Sequence, residues 1–92
     1  MYAVFVLWIG IEQGELELAL YPISVESFEM VGMIMDTDAP PPYTIVVKSG
    51  RREERFETDE VNLFRIPRIT SGQHELLIYS GKELIGTTTI EL

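Results

Sequence analysis

The chain has 92 residues, no cysteine, one histidine and a formal net charge of −8, and a chain of this length can fold as one small domain without a covalent staple. The lack of cysteine excludes disulfides, thiolate metal sites and thiol nucleophiles, and a single histidine excludes any site that needs two imidazoles. No basic residue precedes Lys48, whereas seven acidic residues do, so we expect neither nucleic acid nor an anionic membrane surface as a partner.

An uncharged apolar run opens the chain at residues 2–11 and ends at Glu12. No basic residue precedes this run, so it does not match a secretory signal, and it is too short to cross a bilayer. We therefore expect the protein to be made as a soluble chain in the cytoplasm, with a virion left open as its destination.

Short apolar segments separated by turn residues predict an all-β fold, because β-branched and aromatic residues dominate and no window has helical spacing. In chain order the predicted strands are residues 2–11, 15–21, 24–36 (as one or two strands), 43–49, 51–57, 62–66, 73–80 and 84–92. A turn at residues 12–15 makes the first two strands a hairpin, and Gly14 is expected to supply a positive φ there.

Two segments in the middle of the chain predict a crossover loop and an edge strand. Residues 40–42 are three consecutive prolines, which lack amide donors and therefore predict a stiff crossover loop. Residues 51–57 carry charge on both faces of a strand, as is typical of a sheet edge that avoids pairing with other sheets. The chain shows no internal repeat and no linker, which predicts a single domain over residues 1–92.

Four short motifs follow one another in the second part of the chain. They are a Gly-x-Ile-x-Asp segment at 32–36, the proline loop at 40–42, a Thr-Asp-x-x-Asn-x-Phe segment at 58–64, and an alternating strand after Pro67 and Gly72. In these motifs, residues 31–92 resemble the carboxypeptidase regulatory-like domains, which are transthyretin-like Ig-type β-sandwiches. The resemblance implies an antiparallel Ig-like sandwich with an added N-terminal hairpin at 1–21. It also implies a role as spacer, adhesion or assembly module.

Two residues depart from the pattern of that family. Asn62 stands where the family has a turn glycine, and Asn tolerates the left-handed conformation that the turn needs. His74 stands where the family has a tyrosine, and we expect it to be a half-buried strand residue with a polar tip.

The turn before the strand at 62–66 also has a predicted set of hydrogen bonds. Thr58 and Asp59 are expected to accept hydrogen bonds from backbone amides two residues further on.

The sequence has few of the residues and motifs that catalysis or cofactor binding requires. His74 is the only general base of the usual kind, and no serine lies in a nucleophile-elbow motif, so we predict that the protein is not an enzyme and has no cofactor. Asp36, Asp38 and Asp59 are candidate calcium ligands, because they are hard oxygen donors in loops. Capping of turns by these aspartates is the alternative.

The first predicted strand is apolar on both faces, unlike a strand with one face in water. Tyr2, Val4, Val6 and Trp8 share one face, and residues 3, 5, 7, 9 and 11 share the other. Two readings remain open: the outer face is covered by the proline loop or by residues 24–36, or it is buried against another chain. We take Tyr2, Val4, Val6 and Trp8 as candidate interface residues.

The sequence therefore predicts a non-catalytic structural or assembly module that binds protein, as a homo-oligomer or within a larger complex. A subunit of a virus or phage particle, such as a capsid-decoration or tail protein, is the specific expectation. The alternative is a β-sandwich module that binds a glycan or another ligand through the loops at 36–42 and 58–62.

Overall fold

The computed structural model describes residues 4–92, and the regular structure of these residues is entirely β-strand. The eight strands are β1 (Phe5–Ile11), β2 (Gly14–Ser24), β3 (Ser27–Met35), β4 (Tyr43–Ser49), β5 (Arg52–Glu57), β6 (Leu63–Thr70), β7 (Gln73–Ser80) and β8 (Glu83–Glu91). The predicted all-β fold is confirmed. The segment 24–36, which could have held two strands, begins with the last residue of β2 and otherwise contributes the single strand β3.

The strands form two antiparallel four-stranded sheets that pack as a β-sandwich. Sheet A has the order β1-β2-β3-β6, and sheet B has the order β5-β4-β7-β8. The predicted N-terminal hairpin is β1 and β2, which pair from Phe5 opposite Leu20 to Ile11 opposite Gly14. Strand β1 is therefore one end of sheet A, and the charged strand β5 is one end of sheet B, as predicted.

The core lies between the inner faces of the two sheets. Alternation along β2 places Leu16, Leu18 and Leu20 there, each no more than 3% exposed. Six further side chains, from β4, β6 and β7, are buried in this core: Ile45, Val47, Phe64, Ile66, Leu76 and Ile78. In each of these strands these residues alternate with others, as expected for an inner face.

Gly32 has no side chain and so leaves room for the ring of Phe64 in this core. The two residues lie opposite each other on β3 and β6, and both are buried. A Cβ on Gly32 would overlap the ring of Phe64. The ring therefore lies over the glycine and fills the space that a side chain would have taken.

The turn that precedes β6 is fixed by Asp59 and Asn62. One carboxylate oxygen of Asp59 accepts hydrogen bonds from the amides of Val61 and Leu63, both at 3.0 Å, and Asn62 has a φ of 64°. Both expectations are confirmed. The prediction for Thr58 was wrong in its partner, because its hydroxyl accepts from the amide of Tyr43 at 2.9 Å, across the sheet.

Gly14 has a different function from the predicted one. It is absent from the described residues with a positive φ, so the turn after β1 does not need it for that reason. A Cβ there would lie 2.9 Å from the carbonyl oxygen of Met35 and 3.0 Å from the Cβ of Thr37. Close approach of the chain after β3, rather than turn conformation, therefore requires a glycine at this position.

The proline segment is a loop that carries the chain from sheet A to sheet B, as predicted. Two hydrogen bonds fix it against sheet B: the Tyr43 hydroxyl donates to the carbonyl of Ala39 at 2.6 Å, and the Ser80 hydroxyl donates to the carbonyl of Pro40 at 2.6 Å. Among residues 4–92 no helix is long and apolar enough to span a bilayer.

Candidate assembly interface

The outer side of sheet A carries apolar side chains from three neighbouring strands. Antiparallel register places Val6 beside Ala19 and Val31 in one row across β1, β2 and β3. Alternation puts Val4, Trp8, Tyr21 and Met33 on the same side. We call this surface the outer apolar face, and its members are Val4, Val6, Trp8, Ala19, Tyr21, Val31 and Met33.

The β1 part of this face is open to solvent. Trp8 is 62% exposed, Val6 48% and Val4 47%. Neither the proline loop nor residues 24–36 cover it, so the reading in which the chain buries its own first strand is wrong for the described residues. Tyr2, the fourth predicted interface residue, lies outside the described range.

Acidic side chains lie among the apolar side chains of this face. Glu17 lies opposite Trp8 on β2, and the guanidinium of Arg65 donates to the carboxylate of Glu29. This ion pair neutralises two charges at the β3–β6 side of the face. Glu17 separates Trp8 from Met33 in the row that crosses β1, β2 and β3.

Strand β1 also has an incompletely covered backbone edge. Hydrogen bonds join the turn after β1 to β8, from Gln13 N to the carbonyl of Ile85 and from Thr87 N to the carboxylate of Glu12, both at 2.9 Å. At the other end of β1 the inward-facing Phe5 is still 53% exposed. The sandwich is thus closed where β1 ends and open where it begins, which leaves residues 4–6 exposed on both faces.

Acidic side chains gather at the closed end, around the β1–β2 turn. The backbone amide of Thr87 holds the pKa of Glu12 below its ordinary value of 4.5 by donating to the carboxylate. Glu15 shows the opposite shift: the hydrogen bond that it shares with Asp36 raises its pKa, with desolvation and charge repulsion acting in the same direction. The end of the sandwich is therefore negatively charged at neutral pH.

We expect Glu12→Gln to weaken the pH dependence of stability. A carboxyl group with a lowered pKa in the folded state stabilises the fold above its unfolded pKa, and this contribution is lost as the pH falls through the folded pKa. Urea unfolding at about pH 7 and about pH 3 should give a smaller difference in unfolding free energy for Glu12→Gln than for the wild type. Glu60→Gln removes the same charge elsewhere, and an equal change in that control would contradict the assigned cause.

The candidate calcium ligands are not brought together as a site. Among residues 4–92 no group of three or more acidic or histidine side chains has an arrangement that could hold a metal ion. One oxygen of Asp59 is already used to cap its own turn. Asp36 interacts with Glu15 and has a φ of 52°.

The two loops of the alternative ligand-binding prediction do lie together. Pro41 and Pro42 face Thr58, Asp59 and Glu60 across a shallow hollow of about 320 Å³. The most exposed aromatic side chains among the described residues, Phe5, Trp8 and Tyr21, belong to β1 and β2 and not to these loops. The hollow therefore lacks the flat apolar side chain on which a sugar ring would stack.

His74 differs from its predicted state, because it is 4% exposed and not half-buried. Both of its ring nitrogens are hydrogen-bonded, Nδ1 to the hydroxyl of Ser49 and Nε2 to the carbonyl of Thr70 at 2.7 Å. Ser49 and His74 are separated by 25 positions in the chain. Sequence reasoning missed this pair, and the only signal for it was the register of two predicted strands.

Comparison with known proteins adds no relative. No family model matches the chain, and none of the curated proteins or solved structures matches it either. The resemblance to the carboxypeptidase regulatory-like domains stays a prediction from short motifs, and the identification that the structure supports is the two-sheet antiparallel β-sandwich.

Proposed function

We propose that the protein is a structural assembly module that binds a second copy of itself through β1. The observation that carries this proposal is the exposure of Val4, Val6 and Trp8 on an end strand of sheet A. Exposed apolar patches of a few hundred Å² on soluble proteins commonly mark interaction sites. A free strand edge adds backbone donors and acceptors for another strand.

The distribution of charge favours an antiparallel contact between two β1 strands. Such a contact places the acidic turn of one copy beside the beginning of β1 in the other copy. A strand of seven residues spans about 24 Å, and the Debye length at physiological salt is about 8 Å. The two acidic ends are therefore screened from each other, whereas a parallel contact would bring them side by side.

Contact between the outward side chains of the two β1 strands supplies the driving force. Removing the exposed half of a valine or tryptophan side chain from water contributes roughly 1 kcal/mol or more. In a two-fold dimer each contact away from the axis occurs twice, and backbone hydrogen bonds between the strands add to this. Loss of translational and rotational freedom opposes these gains, so we expect a dimer whose population depends on concentration.

Light scattering after size exclusion, over a series of protein concentrations, tests the proposal. The expected mass approaches twice the chain mass of 10.5 kDa as concentration rises. High salt should change this little, because the contact is mainly apolar. A mass of one chain at every concentration would refute self-association. The place of such a dimer in a virus or phage particle remains a prediction from the sequence.

The hollow between the proline loop and residues 58–60 supports a second candidate function, the binding of a small ligand such as a glycan. Its test is Glu60→Gln, which alters the exposed rim without touching the turn-capping carboxylate of Asp59. Binding to an oligosaccharide array that Glu60→Gln weakens would favour this function. If the protein binds none of the oligosaccharides on the array, this second function is contradicted.

A further inference from the structure

A second surface feature lies on the opposite side of the sandwich, where β5 and β6 form the open ends of their sheets. It is a cleft of about 600 Å³, and its lining includes Ser49, Arg52, Phe56, Arg68, Thr70 and His74. The cleft does not involve β1. It is therefore separate from the proposed dimer contact.

Within the cleft, Ser49 and His74 form a hydrogen-bonded pair at the ends of neighbouring strands. Ser49 is the last residue of β4, and His74 is the second residue of β7, which pairs with β4. The Nε2 atom lies 2.7 Å from the carbonyl oxygen of Thr70, which can only accept, so Nε2 carries the proton of the neutral ring. The Nδ1 atom is then unprotonated and accepts the hydrogen bond from the Ser49 hydroxyl.

This arrangement has the parts of an activated serine. A nucleophile requires a base within hydrogen-bond reach, and the base must be held in one tautomer and orientation by a third group. The carbonyl of Thr70 is that third group. His74 is buried, whereas Ser49 is half-buried, and both side chains line the open cleft.

Two guanidinium groups line the same cleft. Arg52 lies opposite Ser49 on β5 and is 4.0 Å from the carboxylate of Glu54, which also lines the cleft. Arg68 has no carboxylate partner among the ion pairs of residues 4–92. The register between β3 and β6 shifts around Arg68, as at a β-bulge, and bulges commonly redirect a side chain in this way. A cation beside a serine nucleophile is suited to stabilise negative charge on oxygen.

We propose that Ser49 is a nucleophile with His74 as its general base, and that the cleft accepts the acyl group of a small carboxylic ester. The Ser49 oxygen attacks the carbonyl carbon, its proton passes to Nδ1 of His74, and Arg68 faces the oxygen that becomes negative. The bond to the alcohol oxygen then breaks, and that oxygen takes the proton from Nδ1. Water hydrolyses the acyl-serine by the same proton transfers, so ester and water give acid and alcohol.

Covalent labelling with a fluorophosphonate probe tests the nucleophile directly. We expect intact-mass and peptide spectra to show one adduct, on Ser49, in the folded wild-type protein. Ser49→Ala should abolish the adduct, and His74→Gln should slow its formation at least tenfold, because general-base assistance typically contributes 10² or more. Ser80→Ala is the control: Ser80, like Ser49, is the last residue of a strand in sheet B, but its hydroxyl donates to the carbonyl of Pro40 outside the cleft, so labelling should be unchanged.

Two further measurements separate activation from simple exposure or unfolding. The wild-type chain in denaturing urea should label more slowly than the folded chain, and circular dichroism should show that each variant is folded. Hydrolysis of p-nitrophenyl acetate should show a burst that Arg68→Gln reduces while leaving the fold intact. Absence of an adduct on folded wild type, equal labelling in urea, or an unchanged rate in folded His74→Gln would each overturn the proposal. None of these results bears on the mass of the dimer.

Discussion

Trp8→Glu should hold the protein as a monomer of 10.5 kDa at concentrations at which the wild-type chain is a dimer. Trp8 is the most exposed member of the outer apolar face, at 62%, and it lies in the middle of β1. A two-fold contact would bring two new carboxylates into the interface, one from each copy, and each would lie close to Glu17 on β2. Burial of an unpaired charge is strongly unfavourable, so the dissociation constant should rise by roughly two orders of magnitude or more.

Val25→Glu is the matched control for this variant. Val25 is 96% exposed in the turn between β2 and β3, away from the outer apolar face, and the substitution adds the same charge. Sedimentation equilibrium should give a dimer for Val25→Glu and a monomer for Trp8→Glu. Dissociation of both variants would indicate a general effect of charge, and a dimeric Trp8→Glu would place the interface on another surface.

Gly32→Ala should lower the free energy of unfolding by about 1–3 kcal/mol, the usual range for overpacking a core. The added methyl group would meet the ring of Phe64, which is 2% exposed and packed in the core. A chain of 92 residues has a total stability of about 5–14 kcal/mol, so the loss is a substantial fraction of it. Urea denaturation followed by fluorescence of the single tryptophan measures it.

Gly10→Ala supplies the control within the same sheet. No atom lies within 4 Å of a Cβ built on Gly10, and its φ does not require glycine. Its stability should change by no more than about 0.5 kcal/mol. A double-mutant cycle with Phe64→Leu adds a second check, because a smaller side chain should relieve part of the cost of Gly32→Ala. Additive effects would show that the clash with Phe64 is not the cause.

Patterns along single strands accounted for most of the fold. Alternation along β2 places Leu16, Leu18 and Leu20 in the core, and the charges of β5 predicted an end strand. Both inferences work because a strand places successive side chains on opposite faces, and because unpaired edges need charge. Turn chemistry was equally local, as the left-handed φ of Asn62 shows.

Contacts between distant segments were harder to predict. Gly14 was assigned to a turn conformation, but the chain after β3 passes so close that a side chain would not fit. Thr58 was expected to bond within its own turn, but it accepts from Tyr43 in the neighbouring strand. Both errors arose because the correct partner depends on which strands are adjacent in space.

The candidate sites divide in the same way. The sequence alone identified Val4, Val6 and Trp8 as apolar side chains that are expected to be buried. The reason is that β1 lacks the apolar–polar alternation of a strand with one face exposed to solvent. Their exposure was decided by sheet order, which puts β1 at an end of sheet A with its outer face uncovered. The pairing of Ser49 with His74 was likewise decided by the register of β4 and β7, which aligns two residues 25 positions apart. The chemistry of a side chain follows from its residue type. Which side chains lie close together across strands is decided only when the sheets form.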